Sequence, residues 1–105
     1  KPLREFLHVD DLSNAIKFII NNDIEDNILN IGSGDEVSIK SVAENIKQVI
    51  DYKGDLSFDT SKPDGNPRKL LDSSKILNYG WRPEITLVKG LESTYKWFQE
   101  NIKIS

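Results

Sequence analysis

Lys62, Asp64, Arg68 and Lys69 fall within a span of eight residues on the stretch Phe58-Asp-Thr-Ser-Lys-Pro-Asp-Gly-Asn-Pro-Arg-Lys-Leu-Leu-Asp72. Across residues 62–69 three cations and one anion give a local charge of +2 in a chain whose net charge is -3. Residues of these types suit recognition of an anionic, hydroxyl-bearing ligand. Arg68 can fork onto a phosphate, Lys69 adds a point charge, and Asp64 can accept hydrogen bonds from hydroxyls. Pro63, Gly65, Asn66 and Pro67 fix this segment as a turn-rich loop, stiffened because each proline pre-sets φ and withholds a backbone donor. Arg4, just ahead of an apolar segment, is placed to point out at the edge of the core and join the same ligand. The alternative is that the loop is a solvated surface turn and Arg4 makes a weak surface ion pair with Glu5 or Asp10.

Other residues that could do chemistry have simpler explanations. His8, the single histidine, lies between Leu7 and Val9 and reads as structural rather than catalytic. With no cysteine and no second histidine it makes no metal site. Asp10 and Asp11, as neighbours at a helix start, do not face each other, so capping explains them better than paired catalysis. Gly32-Ser33-Gly34 lacks the third glycine of a dinucleotide fingerprint, since position 37 is valine, and Asp35 and Glu36 would repel a pyrophosphate. A tight turn is expected. Trp81 and Trp97 are expected as core anchors.

The elements that must hold these residues follow from apolar spacing. Arg4–Val9 reads as extended. Asp10 or Asp11 caps a helix with Leu12, Ala15, Ile16 and Ile19 on one face, ending at 21–23. Residues 27–32 and 56–58 read as two short strands. Between them Ser38 caps a helix with Ile39, Val42, Ala43, Ile46, Val49 and Ile50 on one face and Gly54 just past its end. Asp72–Lys75 begins a short helix that Gly80 stops. A last helix after Thr86 carries Val88, Leu91, Tyr95, Phe98 and Ile102 and ends near Asn101. The order predicts an α/β fold with a thin sheet of two short strands, packed against a larger partner layer.

At 105 residues, 37% hydrophobic and 30% charged, the chain is one domain with a modest core. No apolar run approaches the roughly 20 residues that span a bilayer, and no signal-peptide core is visible. The mild acidity argues against general nucleic-acid binding. Cytoplasmic location is the expectation. The opening Lys1-Pro-Leu-Arg4, without methionine, is what a piece of a longer protein would show.

Arg4-Glu-Phe-Leu-His-Val-Asp-Asp11 resembles the arginine-to-aspartate signature in the carboxyl-terminal half of the extended short-chain dehydrogenase/reductases, the nucleotide-sugar epimerase family. Asn30-Ile-Gly-Ser-Gly34 and the Ser38 helix are similar to it too. Ser61–Asp72, continuing through Leu77-Asn-Tyr-Gly-Trp81, together with Gly90-Leu-Glu-Ser-Thr-Tyr-Lys-Trp-Phe98, resembles the GDP-sugar epimerase/reductases of that family. The resemblance covers nearly the whole chain. It implies that residues 1–105 form a small substrate-binding lobe of a Rossmann-type enzyme, whose amino-terminal domain would bind NADPH and carry the catalytic serine and Tyr-x-x-x-Lys pair. Tyr52, Tyr79 and Tyr95 have no lysine four positions on, so the chain alone is expected to be inactive. The family reaction epimerises two carbons of a GDP-keto-sugar and reduces its ketone. Arg4, Asp64, Arg68 and Lys69 match positions in or beside the GDP-sugar site, with no catalytic or cofactor residue in this lobe. The resemblance also implies a full-length homodimer, formed largely through the Rossmann domain. Two other readings remain open: the lobe of another nucleotide-sugar epimerase or dehydratase, and a stand-alone module whose basic loop binds an acidic partner.

Overall fold

The computed structural model describes residues 2–59, 61, 65 and 68–102, with only the backbone of residues 68 and 69. Among these, three very short strands and four helices follow one another in the order β1 (Leu3–Glu5), α1 (Val9–Asn21), β2 (Glu36–Ser38), α2 (Ile39–Val49), β3 (Arg68–Lys69), α3 (Ser74–Tyr79) and α4 (Leu87–Asn101). β1 is the central strand. It pairs antiparallel with β2 and parallel with β3, in the order β2-β1-β3.

The sheet is as thin as expected, but it has three strands and is built from other segments. Residues 27–32 and 56–58 carry strand-like composition, yet neither has a ladder partner among the described residues. Strand propensity reports a fit to a half-buried pleated surface, and it forms no strand without a neighbour to complete the hydrogen bonds.

The helix ends follow local chemistry more closely. Ser38 caps α2 by accepting the Ser41 amide at 3.0 Å, and Thr86 caps α4 by accepting that of Lys89 at 3.3 Å. Gly80, at φ 115°, ends α3 in the left-handed conformation that glycine adopts without steric cost. At the end of α2 the left-handed residue is Asp51 (φ 56°) rather than Gly54. Aspartate is among the few residues with a side chain that tolerate this region. At α1 the cap is His8, not an aspartate: its Nδ1 accepts the Asp10 amide at 3.0 Å. The ring also packs against α4, where a Cβ at Gly90 would lie 3.0 Å from His8 Cδ2. This is the structural role expected of His8.

The capping role expected of Asp11 gives way to a longer-range one. Its side chain is 2% exposed, and its two oxygens accept the backbone amides of Glu84 (3.0 Å) and Ile85 (2.9 Å). The bonds tie the first turn of α1 to the segment entering α4. Beside them Ala15, Ile76 and Trp81 form the buried core, with Leu7, Phe18, Ile19, Ile31 and Leu77 packed against it. The expected α1 face therefore splits. Ala15 and Ile19 turn inward, while Leu12 and Ile16 join Val9 and Ile20 on an exposed apolar stripe. Of the two tryptophans Trp81 is the anchor. Trp97 is 58% exposed and lines a cleft of about 400 Å³ with His8, Val9, Asp10, Ser93 and Thr94. In the described residues no helix is long and apolar enough to cross a membrane.

Removing the Asp11 carboxylate leaves two partly buried amides without acceptors. Asp11→Ala is expected to lower stability by about 3 kcal/mol, and Asp11→Asn, which keeps one acceptor, by about half of that. Urea denaturation of the two variants checks the order and the size.

Candidate functional site

β1 brings two of the sequence-predicted positions together. Its residue Arg4 is the register partner of Lys69, and Leu3 is that of Arg68. Arg4 is thus beside the end of the basic loop although Arg68 lies 64 positions further along the sequence. The Arg4 Nη1 donates to the Leu3 carbonyl at 2.7 Å, and Nη2 reaches the loop tip, 3.3 Å from where a Cβ on Gly65 would lie. Asp64 lies outside the described residues, and Arg68 and Lys69 are placed as backbone only.

Both ends of the loop are pinned by aspartates that accept from a serine two residues on. Asp59 Oδ1 accepts the Ser61 amide at 2.9 Å and its hydroxyl as well. Asp72 Oδ1 accepts the Ser74 amide at 3.0 Å, where α3 begins. These Asx turns supply a local anchor at each end of a segment rich in proline and glycine. The bonds favour the ionised form. The Ser61 hydroxyl, then its amide, holds the Asp59 carboxyl below its ordinary value, and the Ser74 amide does the same for Asp72.

Glu5, next to Arg4, carries no signal in the sequence beyond a surface pairing with Arg4. Its Oε2 accepts the Gly34 amide at 2.7 Å, and its Oε1 accepts the Leu71 amide at 3.3 Å. A Cβ at Gly32 would stand 2.5 Å from Oε1, so glycine there makes room for the carboxylate. Gly34 is needed for another reason, its φ of 81°. Gly32-Ser33-Gly34 is accordingly a tight turn closed on an acid. A dinucleotide pyrophosphate does not fit it, because Glu5 already holds the Gly34 donor and would repel a second anion. The only trace of this in the sequence is a glycine pair far from Glu5.

No family model matches the chain. It is 54% identical over 101 residues to the probable GDP-L-fucose synthase 1 of Oryza sativa subsp. japonica, covering 96% of this chain and 31% of that protein. The chain thus spans about a third of the length of this curated relative. Among solved structures, a GDP-6-OMe-4-keto-L-xylo-heptose reductase from C. jejuni superposes with a TM-score of 0.86 at 36% identity, over 95% of this chain and 32% of that one. The GDP-mannoheptose C4 reductase from Campylobacter jejuni, solved with NADP bound, gives 0.81 at 39% identity over 94% and 32%. The chain belongs to the extended short-chain dehydrogenase/reductase family. Within that family's fold it has the make-up of a small carboxyl-terminal lobe, helices around a thin sheet.

Both loop anchors have depressed carboxyl pKa values, so each contributes above the ordinary aspartate range and is lost as pH falls through the lowered value. The Ser61 and Ser74 amide resonances are expected to shift with midpoints below 3.8, the ordinary aspartate value. Asp72→Asn should abolish the Ser74 transition and leave that of Ser61. An NMR pH titration reads both.

Proposed function

We propose that this chain is the GDP-sugar-binding lobe of an NADPH-dependent GDP-L-fucose synthase. That enzyme carries out 3,5-epimerisation and 4-keto reduction of GDP-4-keto-6-deoxy-D-mannose. The observation that carries the reading is the pairing of β1 with β3, which sets Arg4 beside Lys69 and its guanidinium against the loop at Gly65. A cationic edge of this kind suits a diphosphate. Arg4 and Arg68 supply forked donors, Lys69 a point charge, and Asp64 an acceptor for sugar or ribose hydroxyls. The chemistry of hydride transfer belongs to NADPH held by an amino-terminal Rossmann domain outside these residues. This lobe binds and orients the substrate.

Two further features support a lobe rather than a stand-alone module. The radius of gyration is 16.6 Å, against roughly 13 Å for a compact chain of about 100 residues. The stripe of Val9, Leu12, Ile16 and Ile20 along α1 is uncovered, as a face that packs on the remainder of an enzyme would be. A homodimer of the complete enzyme and a cytoplasmic location belong to the same reading. The names of the relatives favour a GDP-sugar over other nucleotide sugars.

In the complete enzyme Arg68→Ala and Asp64→Ala should each weaken GDP-L-fucose binding roughly tenfold to a hundredfold, the range of about 1.5–3 kcal/mol for charge-assisted contacts. NADPH affinity should not move. Arg68→Lys should recover part of the loss, and Lys69→Ala should cost less and depend more on salt. Isothermal titration decides it: unchanged affinity in the Arg4, Asp64 and Arg68 alanine variants would return the loop to an ordinary surface turn.

A further inference from the structure

Glu5 stands between the two segments that flank β1, and the placement of the basic loop passes through it. One oxygen holds Gly34 in the turn before β2. The other holds Leu71, the second residue after Lys69, where the chain leaves β3. β3 itself is only two residues long, too short to fix its own position on the edge of β1. The parallel register between Arg4 and Lys69 therefore leans on a bond just beyond the strand. Glu36 lies directly across the antiparallel pair from Glu5, a like-charge juxtaposition that costs stability unless the carboxylates find donors elsewhere. Glu5 finds two. Gly32, buried and without space for a Cβ, is what lets the carboxylate reach both.

We infer that Glu5 is a positioning residue for GDP-sugar recognition: it latches the exit of the basic loop at Leu71 to the Gly32–Gly34 turn, and so sets Arg68 and Lys69 against Arg4. This rests on the GDP-sugar reading above, since the latch matters to binding only if those cations meet the ligand. Glu5 itself touches no substrate. It acts through the backbone, which distinguishes it from the arginines. Gly32 is the second half of the device.

The test uses the complete enzyme, with GDP-L-fucose and NADPH as separate probes and Arg68→Ala as the reference. Glu5→Gln keeps the shape but turns an amide N–H₂ toward one of the two donors, so a bond is replaced by a repulsive contact. GDP-L-fucose affinity is expected to fall roughly tenfold, as for the loss of one charge-assisted bond. NADPH affinity should stay within twofold, and amide exchange should quicken at Leu71 and Lys69. Gly32→Ala, which displaces the carboxylate, should reproduce the loss, and the double variant should be no worse than either single one. If Glu5→Gln does not yield folded enzyme, Glu5→Asp, too short to span both amides, is expected to show the same pattern. A loss in Arg68→Ala with GDP-L-fucose affinity unchanged in the Glu5 variant overturns the inference alone. NADPH affinity falling in step with that of GDP-L-fucose also overturns it, because a general loss of structure would do the same. No loss in Arg68→Ala overturns the GDP-sugar reading, and the inference with it.

Discussion

A buried carboxylate sets the terms for this fold. Asp11 has left water almost completely, and a charge in that position is tolerated only where hydrogen bonds replace its hydration. The amides of Glu84 and Ile85 do so. Because they belong to a segment more than 70 residues away, the bond also fixes where α4 starts relative to α1. His8, one turn earlier, strengthens that junction from the other side by capping α1 and packing on Gly90. The core of Ala15, Ile76 and Trp81 is small, and non-directional packing of so few side chains would not choose one arrangement of the helices unaided. The polar junction supplies the direction.

The same economy recurs at the sheet. Three strands of three, three and two residues offer few ladder bonds, so side chains take over part of the work of holding the backbone. Asp59 and Asp72 pin the two ends of the basic loop, and Glu5 holds its exit against the neighbouring turn. Each uses a carboxylate against main-chain N–H groups, an interaction stronger than a neutral hydrogen bond. The acids thereby immobilise the backbone frame on either side of the loop.

The slab-like shape, with extents of 49 × 36 × 19 Å, fits a lobe better than a self-sufficient domain. A body only 19 Å thick has little interior, and much of the apolar surface of α1, together with Trp97, remains outside.

Sequence by itself determined the local events. The Ser38 and Thr86 caps and the stop at Gly80 depend on residues within four positions of one another, and their chemistry is the same in any context. Motif likeness added the family, because Arg4–Asp11 and Ser61–Asp72 are distinctive as strings. The tertiary structure decided what depends on distant partners. Residues 27–32 and 56–58 have the composition of strands but no ladder partner among the described residues, whereas Arg68–Lys69, in a loop by composition, gains one in β1. Leu12 and Ile16 share a helical face with Ala15 and Ile19, yet the position of Ile76 and Trp81 buries only part of that face. Asp11 and Glu5 look like ordinary surface acids until the amides of Glu84, Ile85, Gly34 and Leu71 are brought to them. A hydrogen bond across dozens of residues leaves no periodicity in the chain, so only folding makes it visible.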